Sequence, residues 1–308
     1  MKKKVKNIFL GGGAFGCVYH IGIVQALYKY KMNVNIYGNS AGALIGMFYV
    51  LNVPIKTIQK LLDEITIYIK KNISEKPLDF SSYQLTLCHF KLLKFVNDNY
   101  PNAYKICSKR LNVGVTKTTT GFEWFNKFNS NEHLFNILLC SFNTPFLCNY
   151  DAKIDGIQCI DGGFGFNPQI NLPDDIIKVN LYDLPNYDLN ANIPFLHRVL
   201  LPEPQQLQIY INNGYNDMKH ILHLRALKMR VAQSLSADEN APEWAFSKRK
   251  GLNKGVKKDL EKDYIEKTKN LEQYLSHELV QSFVCKLQLI TDKQMYSYDD
   301  LIRYLNIN

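Results

Sequence analysis

Ser40 lies between two glycines in Gly38-Asn39-Ser40-Ala41-Gly42, after a short β-type run (Val34 to Tyr37) and before an apolar helical run (Ala43 to Val50). G-x-S-x-G at a strand-to-helix junction describes a turn too tight for side chains on either flank. It lifts a serine Oγ out of the sheet and directs the next helix N-terminus at it. Such a hydroxyl is a nucleophile that needs a base and an oxyanion hole. The same spacing also arises where small residues let a helix pack closely, so the motif needs company.

Two other segments supply it. Gly11-Gly12-Gly13-Ala14-Phe15-Gly16 follows an apolar run and opens a helical one, and it contains G-x-G-x-x-G. A dinucleotide site of that form needs an acid about 20 positions on to hold the ribose. No Asp or Glu occurs before Asp63, which argues against a nucleotide. Bare backbone N–H groups at a helix start suit a developing oxyanion instead, and a structural turn is the plain alternative. Asp161-Gly162-Gly163 ends an apolar strand-like run. A carboxylate there can take a serine proton directly as general base, although Asp-Gly is also an ordinary turn pair.

A histidine normally relays the proton in serine hydrolases. Seven are present: His20, His89, His133, His197, His220, His223 and His277. An α/β-hydrolase order, with His after the acid, leaves His197, His220 or His223, none in a glycine-flanked turn. His20 lies in the first helix, where packing or hydrogen bonding is its expected role. The residues therefore favour a Ser40–Asp161 dyad, which demands a short, partly desolvated contact because a carboxylate near pKa 4 is a poor base in water.

The elements that must position these groups alternate along the chain. Val5 to Leu10 reads as a buried strand, Cys17 to Lys31 as a helix, Ile55 to Lys70 as a helix headed by Pro54, and Ser81 to Asn99 as another. Leu111 to Val115 pairs with Gly121 to Phe128 as a hairpin, Asn131 to Cys140 is a short helix, and Ile157 to Ile160 and Ile176 to Leu181 are strands. Beyond Pro202 the pattern turns helical and lysine-rich, broken at Ala241-Pro242. Strands alternating with helices predict an α/β sheet covered on both faces.

Taken in order, the three constellations resemble the patatin-like phospholipases: a glycine-rich oxyanion loop, a G-x-S-x-G serine and a D-G-G/A aspartate. The pattern is most similar to the adiponutrin or adipose-triglyceride-lipase branch. Cys17-Val18-Tyr19-His20-Ile21-Gly22, Leu138 to Phe146, Gly162 to Pro168 and Gly214-Tyr215-Asn216-Asp217 carry that likeness, and Phe15 stands where the plant-type pattern has a basic residue. The resemblance implies a three-layer α/β/α domain over residues 5–225, with residues 226–308 as a helical, lysine-rich extension. It implies lipid acyl-ester hydrolysis, with Ser40 as nucleophile, Asp161 as base and the N–H groups of Gly11, Gly12 and Gly13 as the oxyanion hole. Gly16, Gly38, Gly42, Gly162 and Gly163 support the motifs. No metal or cofactor is expected. A fold-retaining, inactive lipid- or partner-binding relative is the alternative, although it has no use for all three motifs together.

Composition is that of a globular chain: 308 residues, 46% apolar and 21% charged, net charge +9. Eight lysines precede Asp63, and Lys248 to Lys258 carries six Lys/Arg and no acid, close after Trp244 and Phe246. Either these are solvated lysine faces or they adhere to an anionic surface. In the second case a membrane or lipid droplet fits better than nucleic acid, because aromatic neighbours seat at a headgroup interface. Cys17, Cys88, Cys107, Cys140, Cys148, Cys159 and Cys285 are odd in number and mostly within apolar runs. That pattern fits free thiols in a reducing compartment, with no C-x-x-C zinc spacing. Glycines interrupt the N-terminal apolar stretch, so a cytoplasmic, unsecreted protein that touches membranes peripherally is expected.

Overall fold

The computed structural model describes residues 6–75, 82–144, 151–182, 184, 186–194, 197–198 and 203–236. The chain divides into two compact units, Met1–Leu224 and Arg225–Asn308. Ala241-Pro242, the Lys248 to Lys258 run and its aromatic neighbours lie outside the described residues, as do Pro145, Phe146, Cys148, Cys285 and His277.

In chain order the elements are β1 (Asn7–Leu10), a 3-10 turn (Ala14–Cys17), α1 (Val18–Lys29), β2 (Asn35–Asn39) and α2 (Ala41–Val50). There follow α3 (Ile55–Glu75), α4 (Ser82–Asn99), α5 (Ala103–Cys107), β3 (Leu111–Lys117), β4 (Gly121–Phe125) and α6 (Asn131–Phe142). The rest are β5 (Lys153–Ile154), β6 (Ile157–Asp161), α7 (Gly162–Gly165), β7 (Ile176–Asn180), β8 (Leu189–Asn190) and α8 (Pro204–Ser236). Among the described residues the sheet has eight strands. β3, β2, β1, β7 and β8 run parallel in that order, while β4 and β6 both pair with β3 antiparallel and β5 pairs with β6. This is an α/β sandwich of the class expected, built on a mixed sheet.

β1 and β2 alternate in the way that fills both faces of a sheet. Ile8, Leu10 and Ile36 are fully buried, and Ile36 meets α2 at Gly46. Phe9 points the other way, into an aromatic cluster with Phe166, Trp124 and Tyr37 in which Phe9 and Phe166 stack at 4.6 Å. α2 lies on β1, β2 and β3 and touches α1 and α6. All ten of its residues are buried, so its sequence is apolar around its whole circumference rather than on one stripe. α1 and α8 meet backbone to backbone: a Cβ on Gly22 would overlap Ile211, and one on Gly214 would overlap Tyr19. The Tyr19 hydroxyl seals that contact by donating to Asp217 at 2.7 Å. Among the described residues no helix is long and apolar enough to cross a membrane.

Candidate active site

β3 acts as a ruler for the site. β2 pairs along it in parallel register from Ile36↔Leu111 to Asn39↔Gly114. β6 pairs antiparallel at Val115↔Asp161, Thr116↔Ile160 and Lys117↔Cys159. β4 occupies Val113 to Lys117 and so overlaps both. A strand has two edges, so β2 and β6 share the edge that β4 leaves open. Their ends meet head to head there, Asn39 opposite Gly114 and Asp161 opposite the next residue, Val115. The Ser40 turn leaves the sheet where the Asp161 strand arrives.

At that junction Ser40 is the N-cap of α2, with φ 51° and ψ −132°. A positive φ on a residue with a side chain costs on the order of 1–3 kcal/mol and persists only where its surroundings hold it. Gly38 and Gly42 make room for the turn: a Cβ on Gly38 would lie 2.7 Å from the Ala43 Cα, and one on Gly42 would run into the Leu10 carbonyl. Hydrogen bonds complete the hold. Ala43 N–H returns to the Ser40 carbonyl at 2.9 Å. Ser40 N–H donates to Ser141 Oγ at 2.9 Å, and that hydroxyl donates to the Gly114 carbonyl at 2.7 Å. Ser141 thus fills the step in the ladder between the end of β2 and the end of β6.

Asp161 faces Ser40 from the other strand end. The Ser40 side chain lies close enough to its carboxyl to hold the carboxyl's pKa down. Thr144 Oγ1 donates to Oδ2 at 2.9 Å and Gly163 N–H donates to Oδ1 at 2.8 Å. Its own N–H donates to Asn143 O at 2.8 Å, and the Asn143 amide holds the Cys159 carbonyl at 2.7 Å. Burial pushes the Asp161 carboxyl above the ordinary carboxylate range, and the three donors from Ser40, Gly163 and Thr144 oppose that rise. Ser40 is 8% exposed and Asp161 7%, so the pair is nearly enclosed. Gly162 has no space for a side chain against the Gly114 carbonyl, and Gly163 leaves its amide to the aspartate.

The glycine loop covers Ser40 from β1. Of the three expected donors, one is already engaged. Gly11 N–H is taken by the Val179 carbonyl at 3.0 Å, as β1 extends one residue along β7, so it has no proton for an oxyanion. Gly12 lies beside Ser40: a Cβ on it would be 3.0 Å from Ser40 Cβ. Gly13 has φ 150° against Leu181, a conformation open to glycine, and Gly16 N–H closes the turn on Gly13 O at 2.9 Å. The Gly11 carbonyl accepts from His20 Nε2 at 2.8 Å.

Among the described side chains no histidine bonds Ser40 or Asp161. His20 is committed to Gly11, His197 Nδ1 meets the Tyr210 hydroxyl at 2.6 Å, His223 lies edge-on to Tyr30, and His133 Nδ1 accepts from Asn129 N–H. Cys17, Cys107, Cys140 and Cys159 are free and buried. Among the described residues no three metal-ligating side chains converge. Ser141, Asn143 and Thr144 are the residues of the site whose roles the sequence did not announce. The one available signal was a run of polar residues closing an apolar helix shortly before the aspartate strand. A buried Ser-Ala elbow, a buried carboxyl facing it from the next strand end, and a glycine loop beside the serine make an arrangement able to attack a carbonyl and shelter the resulting charge.

The profile of one protein family, described as patatin-like phospholipase, matches residues 8–173, more than half of the chain. No curated protein sequence matches. Two solved structures superpose over nearly the whole chain. VipD from Legionella pneumophila has 13% identity and a TM-score of 0.42, covering 98% of this chain and 79% of that one. The type III effector protein ExoU has 14% identity and a TM-score of 0.38, covering 99% and 68%. Likeness at that level carries no argument about chemistry.

Proposed function

The chain belongs to the patatin-like phospholipase family, and from that premise we propose that it is a serine acylhydrolase of lipid esters working through a Ser40–Asp161 dyad. Ser40 Oγ attacks the ester carbonyl while its proton passes to Asp161. The tetrahedral oxyanion is held by the N–H groups of Gly12 and Gly13, with the α2 N-terminus behind them. Collapse expels the alcohol, which takes the proton back from Asp161. Asp161 then draws a proton from water as it attacks the acyl-Ser40 ester, and collapse returns that proton to Ser40 Oγ as the fatty acid leaves. The observation that carries this reading is the meeting of two strand ends on β3, which sets Ser40 against a buried carboxyl whose pKa is raised, moving a weak base toward usefulness.

Within the family we read the chain as adiponutrin-like, on the runs Cys17 to Gly22 and Gly162 to Pro168. Residues 5–225 form the acylhydrolase and 226–308 a basic helical appendage in this reading. The substrate is a phospholipid or acylglycerol met at a membrane or droplet surface from the cytoplasm. Exposed Phe164, three residues past Asp161, and exposed Tyr182, within electrostatic reach of Asp161, support a lipid-facing mouth. The free buried thiols support a reducing compartment.

The test is release of fatty acid from phospholipid and acylglycerol vesicles, with fluorophosphonate labelling alongside. Wild type is expected to turn over and to label at Ser40. Ser40→Ala is expected to lose both, and Asp161→Asn to lose turnover. Turnover surviving in both variants overturns the dyad. Folded wild type that neither hydrolyses nor labels points to the binding-only relative.

A further inference from the structure

His20 is the third residue of α1, fully buried, where an aliphatic side chain would complete the core without a polar group to satisfy. Its Nε2 is 2.8 Å from the Gly11 carbonyl. A carbonyl only accepts, so Nε2 carries the proton and Nδ1 bears a lone pair. Nδ1 has no hydrogen-bond partner. An orphaned buried acceptor is costly, so the single bond that His20 does make calls for an explanation.

The bond falls on the first peptide unit of the loop that lies outside the sheet. Gly11 N–H is still held by β7, through Val179 O, but the next peptide, Gly11 C=O to Gly12 N–H, has glycine on both sides. Glycines let such a plane turn over with little steric resistance. Its carbonyl and amide lie on opposite sides of one trans unit, so whichever group fixes the carbonyl fixes the amide as well. Gly12 adjoins Ser40, and a Cβ on Gly42 would lie 2.7 Å from the Gly11 oxygen. The carbonyl is therefore clasped between the His20 imidazole and the first turn of α2. With the plane reversed, an oxygen would replace the Gly12 amide beside the nucleophile and repel the developing oxyanion.

We infer that His20 is a positioning residue of the oxyanion hole, which by holding the Gly11 carbonyl keeps the Gly12 N–H turned toward the Ser40 side. The inference rests on the acylhydrolase reading for its catalytic consequence, and on geometry alone for the bond. His20 touches no substrate. It acts through one peptide plane.

Two substitutions and one spectrum test it. Gln places an amide N–H where the imidazole Nε2–H stands, so His20→Gln is expected to keep kcat within roughly threefold. His20→Leu removes the donor and is expected to lower kcat roughly 10- to 100-fold with KM unchanged, short of the roughly 100- to 1,000-fold that follows outright loss of an oxyanion donor. Equal kcat loss in both variants, or a change confined to KM, overturns the inference. Long-range ¹⁵N–¹H spectra of the wild-type imidazole at neutral pH decide the geometry whether or not the protein turns over and whether or not His20→Leu folds. A neutral ring protonated at Nε2 is expected, and a ring protonated at Nδ1 overturns it. Failure of the hydrolase reading appears separately, as wild type without turnover but with the Nε2–H ring intact.

Discussion

The Ser40 amide donates to the Ser141 hydroxyl at 2.9 Å, across the gap where two strands end against a third. Without that hydroxyl, both the Ser40 N–H and the Gly114 carbonyl would be buried with nothing between them. The strained backbone of the nucleophile and the last helical turn before Asp161 are thereby tied through one oxygen, which makes Ser141 the first residue to test outside the dyad.

Ser141→Ala is expected to destabilise the fold, because each stranded polar group costs about 1–3 kcal/mol. Activity is expected to fall as well, since Ser40 loses one of the bonds that hold φ 51°. Denaturant titration beside kcat checks both. Unchanged stability and unchanged kcat would show that the elbow stands without this tie.

Under the proposed dyad, Asp161 sets the acid limb of the pH–rate profile. It must be ionised to take a proton from Ser40, and burial raises its pKa, so kcat/KM is expected to climb with pH through a midpoint above the ordinary carboxylate value of 3.8. Thr144 donates to the ionised form and holds the pKa down. Thr144→Val is therefore expected to move the limb to still higher pH, with the plateau less affected than the midpoint. A limb that stays in place, or moves down, would contradict the contact.

His20 makes stability itself depend on pH. Burial lowers its pKa to about 4 from 6.5, so between those values the unfolded chain binds a proton that the folded chain refuses. Stability rises with pH in that window and is lost as pH falls from 6.5 toward 4. At roughly 1.4 kcal/mol per pH unit the full contribution is about 3 kcal/mol. Asp161 has the opposite sign in mild acid, because its raised pKa lets the folded state keep a proton. The measurement is thus a difference: chemical denaturation of wild type against His20→Gln at pH 7 and pH 4.5. The gap between the two is expected to shift against wild type at the lower pH, and a pH-independent gap would refute the buried neutral ring.

Much of the site was legible because glycine demands are local. Gly38 marks a turn whose flank collides with Ala43, five positions on, and a β-type run followed by an apolar helix marks where the turn lies. The long alternating elements were legible for the same reason, periodicity over many residues. β5 and β8, at two residues each, show no period and were missed. β6 continues through Asp161 instead of stopping at Ile160, because the register on β3 runs to Val115.

What the tertiary structure alone decided concerns partners. Gly11, Gly12 and Gly13 read alike in the sequence, yet pairing with Val179 occupies the Gly11 amide and sets it apart from the other two. Ser141, Thr144 and His20 are ordinary residue types whose roles come from the Ser40 amide, the Asp161 carboxyl and the Gly11 carbonyl they meet. The residue types and their order already named a candidate nucleophile and a candidate base. That the two come to one edge was set by β3, against which both strands end. Steric exclusion is felt between neighbours in the chain and is written there, whereas hydrogen-bond partners are chosen by the fold.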